Sequence, residues 1–311
     1  MNISENAEAI LNEIEKKYAS INQKTETHLA GLLWSKPMTY WDYIQTDALL
    51  NIQTQRTTFP DEMVFIMYHQ VNELIFKMIL WEMKQISYRE NIEIVFFAER
   101  LMRISNYFDM LTTSFSIMEN GMEVDQYMKF RNTLTPASGF QSAQYRLIEF
   151  SSTDVINLID NRYRGSIDRD TSYENAFEYL YWQAAGKDYS TGKKSYFLEE
   201  FERKYKKTFL DHMEEYKSIN IWQKFKQLPD ADQKSLELIK AMRHFDRTVN
   251  ITWVMQHLNV AIKYIDQSGK GTGEATGGSD WKKYMHPKYQ RRIFFPDLWS
   301  AEELANWGVE I

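Results

Sequence analysis

No cysteine occurs anywhere in the 311 residues. That absence excludes disulfides, thiolate nucleophiles, zinc–thiolate sites and iron–sulfur clusters. Proline is scarce, and the six present (Pro37, Pro60, Pro136, Pro229, Pro287, Pro296) fall between hydrophobic segments. Proline breaks helix interiors, so the proline-free stretches 61–135 and 137–228 favour helix. Glycine is also sparse, with five of the twelve crowded into 268–278. No run of about 18 apolar residues exists, so no membrane-spanning helix is expected. The polar, acidic start Met1–Glu8 lacks a signal-peptide apolar run, and the cytoplasm is the expected location. A net charge of −6 with no basic face argues against a nucleic-acid partner.

Aromatic residues are plentiful, at 15% of the chain with nine tryptophans. A large aromatic core accounts for them, and a pocket for a flat apolar ligand is the sharper alternative. Apolar spacing predicts helices over 4–19, 61–86, 91–120, 124–132, 140–160 and 231–267, with a further helix at 175–185. Thr39 with Asp42 three residues on reads as a helix start. Gly121 is placed to end the helix before it. Residues 196–226 are strongly charged and read as a solvated helix face. No repeat or linker stands out. The expected fold is all-α: one helical domain over 1–311 enclosing a ligand pocket.

The chemistry narrows to six histidines. His28 and His286 lie near loops, and His212 in the charged segment is expected to be exposed. His69 and His257 each sit on the apolar face of a long helix. No Glu-x-x-His pair and no His-Glu-x-x-His occurs, so neither a di-iron carboxylate cage nor a zinc-protease site is encoded. A cofactor needing a single protein ligand remains, and haem b, held by one neutral imidazole, fits. Attachment through Cys-x-x-Cys-His is ruled out. His257 is the candidate ligand because it lies one helix-length before the glycine-rich loop, and His244 is its local competitor. That loop is neither a P-loop nor a dinucleotide fingerprint, and reads as a lid over a bound ligand. Arg131 is either a surface arginine or a clamp for a carboxylate.

Ordered motifs now add a resemblance. Phe65-Ile66-Met67-Tyr68-His69-Gln70-Val71-Asn72-Glu73-Leu74 resembles the distal-helix motif of the tryptophan 2,3-dioxygenase family. Tyr127-Met128-Lys129-Phe130-Arg131 followed by Leu134-Thr135-Pro136-Ala137-Ser138-Gly139-Phe140-Gln141-Ser142-Ala143-Gln144-Tyr145-Arg146 resembles its most distinctive block. Tyr40-Trp41-Asp42-Tyr43, His257, the Gly-Thr-Gly loop and Phe295-Pro296-Asp297-Leu298-Trp299 are similar to the family in the same order.

The resemblance implies haem b with ferrous iron and His257 as its axial ligand. It implies that His69 hydrogen-bonds the indole N–H and that Phe65 packs on the indole. Arg131, with Tyr127 beside it, would clamp the substrate carboxylate. Thr272, with Thr276 in reserve, would contact the ammonium or carboxylate. Tyr40 and Tyr43 would close the pocket from a neighbouring subunit of a homotetramer, with residues 1–45 exchanged. The implied reaction inserts both atoms of O2 into the C2–C3 bond of L-tryptophan to give N-formylkynurenine, the first step of the kynurenine pathway. Two alternatives stay open: a haem monooxygenase of a substituted indole, and a non-catalytic haem- or indole-binding protein. The chain departs from the family pattern at Tyr68 and at Val71-Asn72, and its loop is expanded to Gly271–Gly278.

Overall fold

A computed structural model of the protein describes residues 4–134, 141–267 and 286–309. The chain divides into two compact units, residues 1–53 and 54–311. The first holds four helices: α1 (Glu5–Ala19), α2 (Thr25–Trp34), α3 (Tyr40–Ile44) and α4 (Thr46–Leu49). Ser4 caps α1 by accepting the Ala7 N–H at 3.3 Å. Thr39 caps α3 as its sequence predicts, accepting the Asp42 N–H at 3.3 Å. None of residues 4–53 is buried.

The second unit is built on α5 (Pro60–Ser87) and α6 (Ile94–Asn120). Pro60 starts α5 where its missing N–H costs nothing. The Glu62 carboxylate accepts the N–H groups of Arg56 (2.9 Å) and Thr57 (2.7 Å), folding the preceding loop onto the positive end of the helix dipole. Burial pushes the Glu62 pKa up, but these hydrogen bonds outweigh it and hold the group below the usual carboxylate range. The short 88–93 connection makes α5 and α6 neighbours, and Gly121 closes α6 as expected.

α7 (Val124–Phe130), α8 (Ala143–Ser152), α10 (Tyr196–Tyr216) and α11 (Ile221–Lys226) follow, with the short α9 (Tyr173–Phe177) and α12 (Asp230–Gln233) between them. α13 (Leu236–Arg247) and α14 (Trp253–Gln267) pack on α6 and are joined by a π turn, Thr248–Thr252. Two isolated bridges, Ile159 with Leu180 and Lys187 with Lys194, are the extended pairings among the described residues. The all-α expectation holds.

α5 is the one helix among the described residues long and apolar enough to cross a membrane. It packs on α6, α7, α8 and α11 and carries Glu62, Glu73, Lys77, Glu82 and Lys84. Ile79, Met83, Phe97, Phe108 and Leu111 form the centre of the main core along the α5–α6 seam.

Three sequence expectations are corrected. The helix predicted over 140–160 ends at Ser152, because buried Thr153 turns extended and its hydroxyl donates to the Phe294 carbonyl (2.5 Å). The helix predicted at 175–185 is two turns, α9 and a 3-10 turn Tyr181–Ala185. The charged helix α10 is not merely a solvated face. It buries Leu198, Phe201, Phe209 and Met213, and its His212 is half-buried with Nε2 2.8 Å from Ser151 Oγ.

Candidate functional site

Two long helices bring His69 and His257 together. His69 lies two turns into α5 and His257 one turn into α14, and both helices pack against α6. The two rings are close enough that positive charge on one opposes positive charge on the other. Burial is the larger effect on each. It pushes His257 down to about 4 and lowers His69 as well, the latter partly offset by the Phe65 carbonyl and Glu73. Both imidazoles are therefore neutral at pH 7. The His69 side chain reaches solvent, with the Phe65 ring tilted over one face of its imidazole.

The tautomer of His69 follows from its partner. Its Nδ1 lies 2.7 Å from the Phe65 carbonyl oxygen. A carbonyl can only accept, so Nδ1 carries the proton and Nε2 keeps a free lone pair.

Aromatic side chains wall the site. Phe115 of α6 stacks on His257 at 5.5 Å and 15°. Phe65 tilts over His69 at 4.0 Å and meets Phe130 edge-on at 5.7 Å. Tyr127 lies 6.3 Å from Phe65 and 4.6 Å from Tyr264 of α14. Tyr68, Phe115, Met118, Phe130, Val260 and Tyr264 form a second core, with Phe65, Tyr127 and Trp253 packed against it. The Arg131 guanidinium is the one cation beside this wall that the sequence singled out. It is anchored by a hydrogen bond to the Tyr127 hydroxyl, one helical turn before it.

The scaffold beneath is polar and buried. Gln144 of α8 donates to the Glu73 carbonyl oxygen (2.7 Å) and carboxylate (2.8 Å), tying α8 to the helix of His69. Tyr145 stacks on Trp253 at 5.0 Å, and Trp253 lies 5.8 Å from His257. Behind Tyr145, the Glu149 carboxylate pairs with both Arg146 (3.0 Å) and Arg292 (2.5 Å). The Tyr181 hydroxyl donates to the same carboxylate at 2.5 Å. This network couples α8, whose first residues Ala143–Arg146 end the distinctive block, to the C-terminal segment that bears Arg292.

Five of the sequence-predicted residues, Phe65, His69, Tyr127, Arg131 and His257, thus belong to one cluster. His244 does not: it is exposed and paired with Asp109 at 3.5 Å. Thr272, Thr276 and the Pro136–Gly139 loop lie outside the described residues. Tyr40 and Tyr43 belong to the first unit, where both are exposed. Sequence reasoning missed Phe115, Trp253, Phe130 and Tyr264 as site walls. Trp253, four residues before His257, carried the only usable signal, since a step of four shares a helix face.

Comparison with known proteins tests the resemblance. The family model described as Tryptophan 2,3-dioxygenase matches residues 26–245. A tryptophan 2,3-dioxygenase of Geobacillus thermodenitrificans is 29% identical over 281 residues, covering 86% of this chain and 92% of that protein. One of Ralstonia pickettii is 25% identical, covering 88% and 95%. One of a Ruegeria species is 40% identical over 124 residues, covering 39% of this chain and 43% of that protein. The matched region runs from the first unit into α13 and includes His69, Tyr127 and Arg131. On this match, and with the family's motif residues gathered at one site, the chain belongs to the tryptophan 2,3-dioxygenase family.

Proposed function

We propose that the protein is a haem-dependent enzyme that inserts both atoms of O2 into the C2–C3 bond of L-tryptophan, giving N-formylkynurenine. The observation that carries this reading is the meeting of two neutral imidazoles, His69 and His257, at an aromatic wall beside Arg131. The residues suit haem b. No three His, Asp or Glu side chains converge as a metal cage among the described residues, and haem b needs only one imidazole to hold it. The rings of Phe65, Phe115, Tyr127 and Phe130 supply flat apolar walls. The Trp253 indole N–H nearby is buried without a partner. In this reading His257 would hold the haem iron, and haem, when bound, would supply the dioxygen chemistry.

The chain's own residues then bind and orient. His69 Nε2, with its lone pair free, accepts the indole N–H, and the bond from Nδ1 to the Phe65 carbonyl fixes the ring's direction. Phe65 packs on the indole. Arg131 pairs with the substrate carboxylate through charge-assisted hydrogen bonds, held in place by Tyr127. Thr272, or Thr276 in its stead, contacts the ammonium or carboxylate.

We further propose a cytoplasmic homotetramer acting as one helical domain per chain. Its N-terminal region, residues 1–45, is exchanged so that Tyr40 and Tyr43 close a neighbour's pocket. Two features support association. A first unit in which no described side chain is buried lacks a core of its own. On α5, Met67, Val71, Leu74, Met78 and Trp81 are all exposed, and their alternating steps of four and three form the seam of a helix–helix contact.

The test is turnover by the reduced, haem-loaded protein with L-tryptophan and O2, followed by N-formylkynurenine absorbance. Absence of product would overturn the enzymatic reading and leave a haem- or indole-binding protein. Incorporation of one oxygen atom would identify a monooxygenase. His257→Ala abolishes haem retention and His244→Ala leaves it intact; the reverse pattern would remove His257 from its role.

A further inference from the structure

From Leu236 to Gln267 the backbone is helical throughout, apart from its widened π turn at Thr248–Thr252. Side chains along it that face α6 recur in steps of four: Phe245, Val249, Trp253, His257. Phe108 of α6 lies 6.1 Å from Phe245 and 6.4 Å from Trp253. Phe115, two turns further along α6, lies 6.0 Å from Trp253 and stacks on His257. Val249 is fully buried in the same core as Phe108 and Phe245. In a regular α-helix each step of four overshoots a full turn by about 40°, so three steps would swing His257 about 120° away from Phe245. A π turn takes in one extra residue, about 100° of rotation, and cancels most of that swing. The π turn is what lets Phe245 and His257 share a face.

A buried acid holds the turn. The carboxylate of Asp246, at 0% exposure, accepts the Asn250 side-chain N–H at 2.7 Å, a bond that spans the start of the π turn. The same carboxylate accepts the backbone N–H groups of Phe294 (2.9 Å) and Phe295 (3.1 Å) and the Trp299 indole N–H (3.0 Å). Asn250 is itself buried. Four donors on one buried carboxylate give the turn a local anchor that its own strained hydrogen bonding does not provide.

We propose that Asp246 and Asn250 are positioning residues that lock the π turn and so set the helical register presenting His257 to the site. The inference rests on the proposed role of His257, but the register is a property of the polypeptide and is testable without haem. The experiment compares full-length wild type, Asn250→Ala and a deletion of Asn250, each folded by circular dichroism. In the haem-free proteins, NMR follows the His257 ring protons, which the stacked Phe115 ring shifts upfield. Haem titration then follows affinity.

Asn250→Ala is expected to lose the upfield shift and to bind haem at least tenfold more weakly. Deletion leaves a step of eleven residues from Phe245 to His257, within about 20° of three α-helical turns. The deletion is expected to fold and to recover both the shift and the affinity. A folded Asn250→Ala protein that keeps both readouts overturns the proposal, as does a deletion variant that loses the shift or fails to fold. Should Asn250→Ala not fold, the deletion decides alone. A wild type that binds no haem overturns the ligand reading, while the upfield shift still decides the register.

Discussion

At the scale of single residues, burial keeps three imidazoles neutral but for different ends. His69 keeps a free lone pair on Nε2 and His257 lies against the Phe115 ring, whereas His212 is locked between Ser151 and the Tyr216 ring, which stacks on it at 4.1 Å. Burial lowers His212 to about 4. The unfolded chain takes up that proton near pH 6.5, and the folded chain does not until about 4. His212 therefore contributes stability above pH 6.5 that is lost as pH falls toward 4, on the order of 3 kcal/mol. Urea unfolding across this range should show a shallower decline in His212→Gln than in wild type; equal slopes would exclude His212 as the source. Arg131 carries a second residue-scale prediction. Arg131→Ala should lower kcat/KM for L-tryptophan by about 10–100-fold, the size of a lost hydrogen bond to a charged group. It should change little for tryptamine, which lacks the carboxylate. Equal losses for both would assign Arg131 to the fold instead.

Among the elements, α8 joins the parts of the site. Its Gln144 grips α5, its Tyr145 stacks beneath Trp253, and its Glu149 neutralises Arg146 and Arg292. Removing the carboxylate would leave two buried guanidinium groups facing each other without a counter-charge. Glu149→Ala should cost about 3–5 kcal/mol, measured as a lower urea midpoint with an unchanged m value. A loss under about 1 kcal/mol would mean that the network contributes little to holding α8 in place. The part of the motif block in this helix thus serves the fold, while Arg131 is the part proposed to serve the site. The sequence resemblance carried both as one stretch and could not separate them.

For the whole molecule, the exposed Met67–Trp81 stripe and the uncovered first unit make association the governing question. A pair of charges in the seam, Leu74→Glu with Met78→Glu, should reduce the proposed tetramer to smaller species by light scattering, without loss of helical circular dichroism. A variant with wild-type mass would show that this stripe is not an interface. The proposed exchange of residues 1–45 makes an independent prediction, since Tyr40→Ala and Tyr43→Ala should raise KM for L-tryptophan while the haem spectrum is unchanged. Unaltered KM in both would remove the first unit from the pocket.

Helix positions in this chain were legible because apolar spacing, Pro60, Thr39 and Gly121 are local signals read within a few residues. His257 and His69 were legible as candidates for the same reason, each lying on the apolar face of its own helix. Their meeting was implied by the family resemblance alone, because it depends on how α5 and α14 both pack on α6, a long-range contact that leaves no mark in the spacing around either position. Phe115 shows the same limit: it is one of many apolar residues on α6 until packing sets it against His257. The face that His257 shares with Phe245 was also beyond the sequence, since repeated steps of four, from Val249 to Trp253 to His257, fit a regular helix only over short distances. Tertiary structure decided it, through a buried aspartate that binds the C-terminal segment and the π turn at once.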